Sequence, residues 1–180
     1  MNFKSLKVVL ISLMVVSMSS LALADVKVEK LKVEKELNIV FQEALKAAAS
    51  ELDADKTVSP FAVVLRKNGK VGYFTATEEN KELSVNEQGN RIRRMLKDLA
   101  INQQIDASTF GMYATVSQND VSEKGLVFEV EHEAGISIMR FLPVSDGTGE
   151  NKGKLVFETQ RMQTTTKPRN IFVEAIVKSK

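Results

Sequence analysis

Leu37, Val40, Phe41, Ala44, Leu45, Ala48 and Leu52 follow one another at steps of three and four residues. That spacing lines them up on a single stripe of a helix. The helix ends near Asp53–Asp55, ahead of Ser59-Pro60. Before it, VKVEKLKV alternates, so the pattern alone does not place the helix start. Next comes FAVVLRKNGKVGYFTAT, two β-rich runs flanking Asn68-Gly69. Asn-Gly is the preferred pair for a two-residue type I′ turn. Such a turn sets Lys67 opposite Lys70, Val64 opposite Tyr73 and Val63 opposite Phe74.

A second helix is signalled by Ser84 with Glu87 three residues on, a capping box. Its apolar stripe is Val85, Ile92, Met95, Leu96, Leu99 and Ala100. Glu87 with Arg91 and Arg94 with Asp98 are i,i+4 pairs on the other face. The basic cluster Arg91, Arg93, Arg94 and Lys97 therefore reads as a solvated helix face and not as a phosphate site.

Strand patterns follow: TFGMYATV, GLVFEVEHE, ISIMRFLPV and KLVFETQRMQ, then a turn or edge segment, TTTKPRN, and a last strand or short helix, IFVEAIV. Short connections favour antiparallel pairing. The expected fold class is α+β: a two-layer domain with an antiparallel sheet of five to six strands and two helices packed on it.

Within FEVEHEAGISIMRF, side chains alternate between the faces of the layer. Leu126, Phe128, Val130 and His132 share one face, and Val127, Glu129, Glu131 and Glu133 the other. A tight turn at Ala134-Gly135 pairs Glu133 with Ile136. The same register sets Phe128 opposite Phe141, Val130 opposite Met139, His132 opposite Ser137 and Glu129 opposite Arg140 as a structural ion pair. His132, the only histidine, then reads as a residue at the edge of the core. It has no second His and no Cys to help it hold a metal. The three glutamates read as a solvated acidic stripe balanced by Arg140. They run along a line and do not converge as Ca²⁺ ligands must. No metal site and no cofactor is expected.

Catalytic signatures are missing from the sequence. It has no phosphate loop after a strand, no G-x-S-x-G, no H-E-x-x-H and no C-x-x-C. A hydrolase-like activity would have to use His132 with a serine and an acid from elsewhere in the chain. Tryptophan is absent and aromatics make up 6% of residues, which disfavours a sugar-stacking platform. Arg161, Lys167 and Arg169, with Thr164-Thr165-Thr166 between them, are the candidate binding residues, suited to a carboxylate or phosphate. The competing reading of that stretch is a polar edge strand blunted by Pro168.

The first residues supply an address. Lys4 and Lys7 precede an apolar run from Val8 to Leu23, which closes in Ala22-Leu23-Ala24. This is the pattern of a secretory signal peptide, residues 1–24, cleaved before Asp25. Its removal takes Lys+Arg from 25 to 23, equal to the 23 acidic residues. The mature chain is thus near neutral and lacks the basic footprint that nucleic-acid binding requires. No membrane attachment is expected after cleavage. Residues 25–180 read as one α+β domain, with 25–36 a loosely attached N-terminal segment. With no cysteine there is no disulfide, and a chain of this length can bury a core without one.

Residues about 60–172 resemble a family of small bacterial α+β proteins with no assigned activity. The resemblance is carried by PFAVVLRKNGKV, RIRRMLKDLA, LVFEVEHEAGISIMRFLPV and RNIF. It implies a compact α+β domain and supplies no catalytic residue. The segment QRMQTTTKPRN departs from the Gly/Pro-containing approach to the last strand that the resemblance leads one to expect. Taken together, the sequence points to an exported, non-catalytic binding or interaction domain. It would be periplasmic or secreted and act on a protein or small-molecule partner. The alternatives are a hydrolase-like enzyme using His132, and a partner protein that makes contact through VKVEKLKVEK.

Overall fold

The computed structural model describes residues 28–52, 58–75, 82–118, 121–149, 152 and 155–172. The leader expected over residues 1–24 and most of IFVEAIV lie outside these. The chain divides into two units between Lys35 and Glu36. In the first, residues 28–35 are helical. Lys30 and Glu34 form an i,i+4 ion pair there at 4.0 Å, and Val28 and Leu31 are exposed.

The second unit begins with helix α1, residues 36–51. Strands β1 (Phe61–Arg66) and β2 (Val71–Thr75) precede helix α2 (Val85–Ile101). Then come β3 (Ile105–Gln118), β4 (Val121–His132), β5 (Ser137–Asp146), β6 (Leu155–Phe157), a 3₁₀ turn (Thr159–Arg161) and β7 (Gln163–Thr166). The sheet order is β2-β1-β3-β4-β5-β6, and every pairing is antiparallel. β7 also lies on β5, beside Ile138–Phe141, while β6 takes the next stretch, Val144–Asp146. This is the α+β architecture that the patterns indicate, with seven strands among the described residues where five to six were expected.

The two helices pack on opposite faces, so the sheet is the middle of three layers and not one of the two expected, because alternate residues of β1 (Val63 and Leu65 against Ala62 and Val64) are apolar on both sides. α1 presents Val40, Phe41, Ala44 and Ala48, the stripe read from the sequence, to Phe61, Val63, Leu65, Ala107, Leu126, Phe128 and Val130. The Phe128 ring meets Phe41 and Phe61 edge-on, at centroid distances of 5.4 and 6.4 Å, an arrangement that aromatic quadrupoles favour. On the other face α2 sets Ile92, Leu96 and Ala100 against Ala62, Val64, Ile105 and Phe110, joined by Ile171 and Phe172. The capping box forms as expected: Glu87 N–H donates to the Ser84 hydroxyl, and Ser84 N–H to the Glu87 carboxylate. Val85, expected on the buried stripe, is exposed at the helix's first residue, and Gln88 and Gly89 are buried in the turn that follows.

Both hairpins differ from expectation by one residue, for the same reason. In the first, Arg66 N–H donates to Lys70 O and Gly69 N–H to Arg66 O. In the second, His132 N–H donates to Ile136 O and Gly135 N–H to His132 O. Each loop therefore has three residues, closed by a glycine at positive φ, +77° for Gly69 and +102° for Gly135. That is the three-residue hairpin with glycine in its last position, which competes with the two-residue Asn-Gly turn. One extra loop residue moves the partner strand by one and exchanges its faces. Val63 consequently pairs with Tyr73 and Val64 with Gly72. Val130 pairs with Ile138, Phe128 with Arg140 and Val127 with Phe141.

Candidate functional site

Strand β4 sends His132 to the α1 face and its glutamates to the α2 face, as the alternation requires. His132 is 3% exposed. Its Nε2 lies 2.9 Å from a carboxylate oxygen of Glu36 on α1, and its Nδ1 accepts the Ala134 N–H at 2.9 Å. An acceptor nitrogen carries no proton, so the ring proton sits on Nε2 and is donated to Glu36. Both nitrogens are thereby engaged, one by a helix and one by the hairpin loop.

The glutamate row is a network of ion pairs, and the expected solvated stripe is not what the α2 face holds. The Glu129 carboxylate accepts from Arg93 of α2 at 2.7 Å and from Lys167 at 2.9 Å. Burial alone would raise its pKa, but the hydrogen bonds of Arg93 and Lys167 outweigh that and hold the carboxyl below its ordinary value. Glu131 is 1% exposed. It accepts from Lys167 at 2.8 Å and from the backbone N–H groups of Asn170, Ile171 and Phe172 at 2.8 to 3.4 Å. Each buried carboxylate therefore has the donors it needs. Glu133, at the strand end, shares Lys67 with Asp106. Burial alone would lower the pKa of Lys67, but its hydrogen bonds to Asp106 and Glu133 outweigh that and hold it above its ordinary value. The row is covered because residues 167–172 run back across β4, a tertiary path that strand alternation does not encode.

The candidate binding residues do not converge. Arg161 pairs with Glu123 near the start of β4. Lys167 is held between Glu129 and Glu131, and Arg169 donates from Nε to Gly135 O at 2.9 Å. At the rise of an extended strand, Glu123 and Glu131 stand about 26 Å apart. The expected Glu129–Arg140 pair is not formed either. The one-residue register change places Arg140 opposite Phe128, on the α1 face, away from Glu129.

No protein-family model matches this chain, and no curated protein or solved structure does. The resemblance carried by the core segments thus brings no site to this fold, and the chemistry must be read from the side chains. Sequence reasoning missed Glu36 as the partner of His132 and Glu131 as the anchor of the C-terminal segment. Glu36 lies 96 residues before His132 and the anchored amides about 40 residues after Glu131. The one local signal was Glu36 at the edge of the helical stripe that starts at Leu37.

Proposed function

We propose that the mature chain is an exported, non-catalytic binding domain that acts on a protein or small-molecule partner in the periplasm or outside the cell. The observation that carries this reading is the state of the lone imidazole. A general base needs a free lone pair within reach of the proton it removes. Here Nδ1 already accepts a backbone N–H, and Nε2 holds the proton shared with Glu36. In a hydrolytic triad the carboxylate holds one ring nitrogen while the other faces a hydroxyl. In this chain a backbone amide takes the place of that hydroxyl. The sequence supports export through the leader pattern, and the near-neutral mature charge speaks against a nucleic-acid partner.

The reading is tested with the exported protein, recovered from the native periplasm or medium. Its N-terminus is expected at Asp25. Wild type and His132→Gln are then compared on panels of ester, amide and phosphate substrates. The expected result is turnover at the buffer rate for both. Turnover by the wild type that the substitution abolishes would establish the hydrolase-like alternative and end the binding-domain reading.

A further inference from the structure

Arg140 of β5 differs from four cations that pack around the sheet. Lys67, Arg93, Arg161 and Lys167 each meet a carboxylate. Arg140 has no ion pair among the described residues, and its Nε is buried without a hydrogen-bond partner. Its guanidinium lies over the Phe41 ring of α1, 4.0 Å from the centroid. Burial lowers its pKa. Buried or half-buried charges are ordinarily paired. A methionine or leucine would cover Phe41 with no charge to desolvate, so packing alone does not call for arginine here.

We propose that Arg140 anchors a binding site for an oxyanion, a carboxylate or phosphate group, on the α1 face of the β5–β7 edge. Nε is sealed, so the ligand meets the Nη end of the fork. Phe41 covers one face of the guanidinium and fixes its plane. That is what planar recognition of an oxyanion requires, and a flexible ammonium does not supply it. Thr164 of β7 is directly opposite Arg140. Directly opposed residues share a face with Cβ atoms about 5 Å apart, so the exposed Thr164 flanks Arg140 on that face and is assigned as the second donor to the ligand. Thr166, opposite Ile138, is next on the same face. The Thr164–Thr166 run thus joins the site through its hydroxyls, while Arg161, Lys167 and Arg169 are engaged elsewhere.

This inference rests on the reading of the chain as a binding domain and names the ligand chemistry. The test uses the mature protein at constant ionic strength, with chloride as the balancing salt. Inorganic phosphate and succinate are titrated separately, following the melting temperature and the heat of binding. A saturable response to one of them is expected, and which one responds identifies the oxyanion. Arg140→Met is expected to raise Kd at least about tenfold, as loss of a charge-assisted fork does. Thr164→Val is expected to weaken binding by less, and Arg161→Ala to leave it unchanged. Without ligand, Arg140→Met should melt at or above the wild-type temperature. Three outcomes overturn the proposal: no saturable response to either anion, an equal response in wild type and Arg140→Met, or a fall of several degrees in the unliganded variant, which would make Arg140 structural. None of these depends on the His132→Gln substrate panel, so the two readings fail separately.

Discussion

At the scale of single residues, the same chemistry has different fates on the two faces of one strand. Simple alternation correctly separates His132 from the glutamates that flank it. What alternation cannot give is the partner, because Glu36, Arg93, Lys167 and the Asn170–Phe172 amides all come from other elements. Glu131 shows the difference most clearly. From the sequence it is one acid in a solvated row, and in the fold it is buried with four donors from a single segment. Glu131→Gln puts an NH₂ group among N–H donors and removes a charge from Lys167, which keeps only Glu129. Breaking a buried pair of this kind costs about 3–5 kcal/mol. With Glu129 still in place, a loss of about 3 kcal/mol is expected in urea denaturation. A loss under about 1 kcal/mol would mean that the C-terminal segment is held by its apolar contacts and not by this carboxylate.

At the scale of elements, helices were more legible than hairpins. The α1 stripe and the α2 capping box can be read from spacing alone because both are local. The two hairpins show in the sequence, but their registers do not. Lys67-Asn68-Gly69 and Glu133-Ala134-Gly135 each admit a two-residue or a three-residue loop, and tertiary packing selects the longer one. Both glycines occupy positive φ, where a side chain is strained, yet they differ in surroundings. A Cβ on Gly69 would meet nothing within 4 Å, whereas one on Gly135 would lie 1.9 Å from the Arg169 guanidinium, which holds Gly135 O. Gly69→Ala is expected to cost about 1–2 kcal/mol for the left-handed backbone. Gly135→Ala should cost roughly 1 kcal/mol more, the contribution of the displaced Arg169 hydrogen bond. Thermal denaturation of the two variants checks the order, and equal losses would show that Arg169 adds nothing to the loop.

At the scale of the whole molecule, two helices on opposite faces of one sheet divide the charged side chains into separate environments. The α2 face is balanced, with Arg93 and Lys167 against Glu129 and Glu131. The α1 face carries the locked His132–Glu36 pair and, further along the sheet, the guanidinium of Arg140, which has no ion pair among the described residues. That division follows from how β4 and β5 are matched. A slip of one residue would return Arg140 to Glu129, put Phe141 beside Phe128, and remove the oxyanion site. The most direct test is therefore the set of interstrand backbone NOEs across the sheet in solution. The account predicts that Val130 pairs with Ile138, Phe128 with Arg140 and His132 with Ile136. NOEs joining Val130 to Met139 and Glu129 to Arg140 would contradict it.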